Sequence, residues 1–209
     1  MHFTFLLMII SAIFFCRQPA DKQMDYLNTG NKIKVVLKPM EYTDTVMLNK
    51  LCHTIDTFYH AETSVIAGSS LPPFAYYKAR NRYRADKLLD YLSGCITGNS
   101  AYIVGLTGKD ISTTKDNYYD WGVFGLGLMP GKCCVVSTFR LKSHLKSQRQ
   151  FEERLIRIVL HELGHNFGLD HCPSRGCLME DAGGTIKTVN NEQTGLCHMC
   201  RKKIKKLLP

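Results

Sequence analysis

The 209-residue chain has no apolar run long enough to cross a bilayer. Its most apolar stretch, Phe3 to Phe15, holds 13 residues and is broken by Thr4 and Ser11, well short of the roughly 20 that a spanning helix needs. No internal repeat, low-complexity run or long linker divides the chain, so one domain is expected rather than several. Acidic residues are scarce, 18 Asp and Glu against 27 Lys and Arg, and the net charge is +9. Part of that excess is local, in Arg201-Lys202-Lys203-Ile204-Lys205-Lys206, yet no aromatic residue interleaves with these charges to stack on bases. The tail therefore reads as a solvated amphipathic helix with Ile204, Leu207 and Leu208 packed inward, and nucleic acid is not an expected partner. A hydrophobic content of 44% and a charged content of 22% are those of an ordinary globular protein.

The apolar start leaves three readings open. Its length suits the core of a secretory signal, and Cys16 follows where a lipoprotein signal would be cut and lipidated. Against this, no lysine or arginine precedes it, and Phe14 and Phe15 are not the small residues such a site prefers. Residues 1–22 are accordingly read as a signal that exports the protein to a lipid anchor at Cys16, as an uncleaved membrane anchor, or as the greasy start of a cytoplasmic protein. Residues 23–209 are read as one domain and the protein as a monomer.

Chemistry is concentrated further on, in His161-Glu162-Leu163-Gly164-His165-Asn166-Phe167-Gly168-Leu169-Asp170-His171. Residues four apart on a helix share a face, so His161 and His165 can present two imidazoles to one metal ion. Glu162 lies close to that metal without being needed as a ligand. Gly168 can take a positive φ at no steric cost, which would end the helix and bring His171 back as third ligand. Three protein ligands leave zinc one open position, the mark of a catalytic site. The helix is expected from Phe151 onward, with Glu152 and Glu153 in its first turn, where the dipole favours negative charge. Leu155, Ile156, Val159, Leu160, Leu163 and Phe167 fall on one arc, opposite the histidines. Gly164 leaves room for a close approach by another segment.

A second metal-type pattern begins at once. Cys172, Cys177 and the C-x-x-C of Cys197 and Cys200 make two close pairs of thiols, the usual make-up of a closed structural zinc site. Two disulfides, or buried unpaired cysteines, are the alternative. His198 lies inside the C-x-x-C, and four thiolates leave it no place as a ligand.

The whole string, from His161 through Cys172, Cys177 and Met179 to Cys200, resembles the combined signature of the archaemetzincin family of zinc metallopeptidases. Weaker likeness extends to Arg80–Leu92, Gly122–Gly127 and Cys134–Leu141. The resemblance implies a metzincin-like fold and two zinc ions: a catalytic one on His161, His165 and His171, and a structural one on Cys172, Cys177, Cys197 and Cys200. It implies Glu162 as general base and Met179 as the apolar floor beneath the catalytic metal. The expected reaction is hydrolysis of a peptide or protein substrate by a zinc-activated water, with Glu162 taking the proton and passing it on. Asp170 is either a support for a ligand or a turn residue. A non-catalytic, zinc-stabilised binding protein is the competing class.

Periodicity gives an α+β fold, a mixed twisted sheet with helices packed on it and the active-site helix beneath. Helices are expected over Met47–Tyr59 and around Ala85–Leu92, and strands over Ile33–Leu37, Ala101–Thr107, Val123–Leu126 and Cys133–Phe139. Val123–Leu128, with Gly122, Gly125 and Gly127, is a candidate edge strand for an extended peptide, or else a bulged strand.

Overall fold

The computed structural model describes residues 32–96, 101–190 and 195–208; the apolar start with Cys16 lies outside them. Five strands form one mixed sheet: β1 (Ile33–Met40), β2 (Ala61–Val65), β5 (Ala101–Thr107), β8 (Gly125–Gly127) and β9 (Cys133–Ser137), in the order β2-β1-β5-β9-β8. The first four in that order run parallel, and β8 closes the edge antiparallel to β9. A second sheet, β3-β4-β6-β7, is built from β3 (Tyr76–Tyr77), β4 (Arg82–Arg84), β6 (Ile111–Lys115) and β7 (Tyr118–Val123). The expected Val123 strand is thus split: Val123 ends β7 in one sheet, and Gly125 opens the edge strand of the other.

Alternation along the strands divides the core. Val35, Leu37, Val104, Leu106, Cys134 and Val136 face one way, toward α1 (Thr45–Tyr59) and α3 (Gln148–Asn166). Met40, Ile103, Cys133 and Val135 face the other way, toward Leu88, Leu89 and Leu92 of α2 (Ala85–Gly94). Period-two side chains give a sheet two apolar faces, so helices must cover both. Leu155, Val159, Leu160 and Leu163 of α3 are buried at or below 1% exposure, and each contributes about 2 kcal/mol through burial. Tyr59 of α1 donates its hydroxyl to Leu160 O at 2.7 Å, which fixes the two helices to each other.

Helix α3 starts at Gln148, three residues before the expected Phe151. The reason is a cap: Ser147 accepts from Gln150 N at 3.1 Å, and the Gln150 side chain accepts from Lys146 N at 2.9 Å, a near relative of the capping box. Glu152 and Glu153 consequently leave the first turn; Glu152 pairs instead with Lys50 and Glu153 with Arg149. Ile156 is only partly buried, and the face opposite the core is covered too, so that α3 is enclosed on nearly all sides from Arg157 to Asn166. The tail forms α5 (His198–Leu207), after the short α4 (Ile186–Val189). Ile204 and Leu208 point inward as expected, but Leu207 is 46% exposed, its side chain reaching only to the turn at Gly168.

The two sheets are joined by an ionic knot. Asp110 accepts from Arg140 Nε at 2.7 Å and Nη2 at 3.0 Å, and Arg82 Nε lies 3.2 Å from its other side. The Arg140 guanidinium occupies the space that a side chain at 122 would need, within 2.1 Å of an ideal Cβ. Gly122 therefore serves this knot, not the sheet edge. Asp110→Ala takes both carboxylate bonds from Arg140 and leaves the largely buried Arg82 with Asp120 alone; it is expected to cost about 3 kcal/mol, a fall of roughly 10 °C in melting temperature by calorimetry. A fall under 2 °C would show the knot to be dispensable.

Candidate active site and metal centres

The C-terminal half of α3 presents His161 and His165 beneath the edge of the five-stranded sheet. Phe167 follows, and Gly168 takes φ +91°, so the chain leaves the helix axis there, as its glycine implied. His171 then returns to the other two. One ligand atom from each of the three histidines lies within 4.8 Å of the others. Ring centroids are 4.7 Å apart for His161 and His165, 4.7 Å for His165 and His171, and 5.4 Å for His161 and His171.

Backbone carbonyls set the tautomers. His161 Nδ1 lies 2.8 Å from Leu178 O, and His165 Nδ1 lies 2.7 Å from Leu169 O. A carbonyl can only accept, so both Nδ1 atoms carry the proton and both Nε2 atoms offer a lone pair. Those two Nε2 atoms face each other at 3.1 Å. Two lone pairs in that position repel unless a cation lies between them, so the donor set fits a metal. Burial, reinforced by His165, holds His161 down to about 3 against the opposing pull of the Leu178 carbonyl. Burial lowers His165 as well. Neutral imidazole is the form that ligates.

Glu162 is buried beside this cluster and lines the same cavity. With protein atoms alone around it, burial pushes its carboxyl up to about 8, while the Gly127 backbone N–H opposes that shift by donating to it. The cavity, ≈ 370 Å³, runs between α3 and β8 and reaches Lys115 and Trp121 of the β6–β7 hairpin, within the range of ligand sites. Leu126 pairs with Val135, and Phe124 and Leu128 make hydrogen bonds to β9 in the same phase. By the alternation of an antiparallel ladder, the N–H and C=O groups of Gly125 and Gly127 point away from β9, into the cleft. Met179 lies under Gly164, where an added Cβ would come within 2.5 Å of the Met179 sulfur. The expected close approach at Gly164 is thus by Met179.

The four cysteines also converge. Their sulfurs lie within 4.8 Å of one another, with Cys172–Cys197 and Cys177–Cys200 at 3.7 Å each. A disulfide needs about 2.05 Å, whereas a tetrahedron with metal–sulfur bonds of about 2.3 Å has edges of about 3.8 Å. The spacing fits a tetrahedral metal site, and the four cysteines are not bonded to one another. Cys197 is the residue before α5; burial pushes its thiol up, but the Cys200 N–H and the neighbouring sulfurs outweigh this and bring it down to about 6. A thiolate there is favoured by the helix N-terminus.

The two clusters share a loop. Cys172 N donates to Met179 O at 2.8 Å, and Leu178, whose carbonyl holds His161, is the neighbour of Cys177. Arg157, one turn before His161, donates to Cys177 O at 3.0 Å.

Asp170 makes no hydrogen bond to a histidine among the described residues; it is exposed and its carboxylate pairs with Lys203 of α5. Asp181, which nothing in the sequence singled out, is the carboxylate beside His171, with Oδ2 3.9 Å from Nδ1. Asn166 closes the end of α3 by donating to Leu128 O and Cys133 O at 2.9 and 2.7 Å.

Comparison with known proteins agrees with this geometry. A family model described as Peptidase family M54 matches residues 64–206. An archaemetzincin of Halobacterium salinarum is 32% identical over 158 residues, covering 72% of this chain and 87% of the relative. The crystal structure of archaemetzincin from Methanopyrus kandleri superposes with a TM-score of 0.73 at 29% identity, covering 87% of this chain and 98% of that one. That from Archaeoglobus fulgidus, solved with malonate, gives 0.70 at 25% identity, covering 82% and 99%. A non-catalytic zinc-binding role is not favoured by these relatives. The chain belongs to peptidase family M54, with the archaemetzincins, and is a zinc metallopeptidase.

Proposed function

We propose that this peptidase holds its catalytic zinc on His161, His165 and His171, uses Glu162 as general base and then general acid, and carries a second, structural zinc on Cys172, Cys177, Cys197 and Cys200. One observation carries the reading: two imidazoles with fixed tautomers aim their free Nε2 atoms at one point, with a third histidine and a buried carboxyl beside it. Bound there, zinc supplies a Lewis acid with an open position, able to acidify water and polarise a carbonyl.

The protein groups do the rest. The outward-facing backbone of Gly125 and the Gly127 carbonyl offer an extended peptide a sheet edge to join, which holds the scissile bond along the cleft. Glu162 accepts a proton from water. It hands that proton on to the departing amine. Met179, buried against Gly164 beside His165, would keep that side of the site apolar.

Incubating the metal-replete protein with a broad peptide library, with and without a chelator, tests the proposal. Cleavage that stops on chelation and returns with zinc is expected, together with two zinc ions per chain by elemental analysis. Chelator-insensitive cleavage, or a single zinc per chain, would contradict it.

A further inference from the structure

We infer that Gly125 and Gly127 of β8 are positioning residues for Glu162: the bare edge strand is the seat of the carboxyl, and not merely a rail for substrate. The inference rests on the reading of Glu162 as the base. Residues 125 and 127 are two apart, so their missing side chains would project from the same sheet face, the one turned to α3. A Cβ at 125 would lie 2.7 Å from both Glu162 Cγ and Oε1. At 127 it would lie 2.9 Å from the Glu162 backbone carbonyl and 3.3 Å from Glu162 Oε2 and His165 Cβ.

Contacts this short require something to move. At 125 the obstacle is a side chain, but a buried one walled in by the strand itself. At 127 the obstacle is the helix backbone, which cannot turn aside. The Gly127 N–H adds direction, since it donates to the Glu162 carboxylate. Strand and carboxyl thus fit as a pair: absent side chains make the space, and one backbone donor fixes the oxygen within it. A methyl at 125 displaces the carboxyl by a fraction of its own width while leaving every histidine and cysteine in place.

The variants are Gly125→Ala, Glu162→Gln, Glu162→Ala and the two doubles that combine Gly125→Ala with each Glu162 change. Gly125→Ala is expected to lower kcat on the order of 100-fold, the usual cost of misplacing a reacting group by about 1 Å. KM should stay within about threefold and the zinc content unchanged. Within the Glu162→Gln background, adding Gly125→Ala should lower the residual rate by less than about threefold, because a residue that acts through Glu162 has little further effect once the acid is gone. In melting experiments Gly125→Ala should be destabilised, and Gly125→Ala/Glu162→Ala should melt with Glu162→Ala alone. That comparison holds even if the single variant barely folds. Independent, multiplying rate losses would overturn the inference, as would a rise in KM at unchanged kcat or a double variant melting as low as Gly125→Ala. Should Glu162→Gln prove fully active, the base reading fails, while the melting comparison still reports on the strand–carboxyl contact.

Discussion

Glutamine in place of Glu162 is expected to lower kcat/KM on a peptide substrate by about 10³-fold while zinc stays fully bound. The expectation follows from what the change leaves alone. An amide has nearly the shape of the carboxylate, its oxygen can still accept from Gly127 N–H, and the histidines that converge on the metal position are untouched. What disappears is a group able to take up a proton and release it again. Positioned acid–base groups contribute about 10² to 10⁴, and Glu162 is assigned two transfers in one turnover, which places the loss in the upper half of that range. KM should change little, since in the proposed binding mode the substrate's backbone is held by β8 and not by Glu162. A Glu162→Gln enzyme within tenfold of the parent at full zinc content would remove Glu162 from the mechanism.

That residue was legible in the sequence because its neighbours are fixed by covalent spacing. His161 and His165 need only a helix between them, and Gly168 needs only the freedom of a missing side chain, which the +91° φ confirms. Gly164 was legible for the same reason. The cysteine pairs were legible because two short spacings bring thiols together whatever the rest of the chain does. The second sheet was not, since its strands are short (Tyr76–Tyr77, Arg82–Arg84) and their stability comes from pairing with segments distant in sequence. The edge strand was only half legible: glycines announce a close approach but not its partner, which proved to be Glu162 at Gly125 and Gly127 and Arg140 at Gly122.

Two local signals were present and passed over. Ser147 with Gln150 three residues on is a capping pattern that fixes the start of α3 better than the apolar arc does. Arg154, Arg157, His161 and His165 recur at spacings of three, four and four, a polar stripe on a helix otherwise rich in leucine and isoleucine. A polar stripe usually faces water. Here it is buried, because the segments before and after the helix fold over it and offer carbonyls: Arg154 reaches Leu141 O and Ser143 O at 2.6 Å each, and Arg157 reaches Cys177 O. Asp181 carried no signal, since its place beside His171 is created by the course of the cysteine loop.

The cysteine cluster should govern the histidines, and Cys200→Ala is the variant that separates the two. Cys200 lies on α5 and, among the described residues, no hydrogen bond joins it to a histidine, so an effect on hydrolysis would travel through the proposed structural zinc. The route is short. Cys177, 3.7 Å from Cys200, precedes Leu178, whose carbonyl orients His161; Cys172 directly follows His171 and donates its N–H to Met179 O. Releasing one thiolate would open the proposed tetrahedron, and the segment around Leu178 would lose its clamp. Structural zinc binds such sites with about 10–16 kcal/mol, comparable to the whole net stability of a domain, about 5–15 kcal/mol. The chain should therefore lose the second zinc, melt more than about 10 °C lower, and lose at least about tenfold in kcat/KM even when the catalytic zinc is resupplied. Zinc analysis, calorimetry and peptide cleavage on one preparation read all three. Two zinc ions retained at an unchanged melting temperature would mean that the sulfurs bind no structural ion. Loss of one zinc with full activity would mean that the Leu178 carbonyl keeps its place unaided, and that the two centres are neighbours without being coupled.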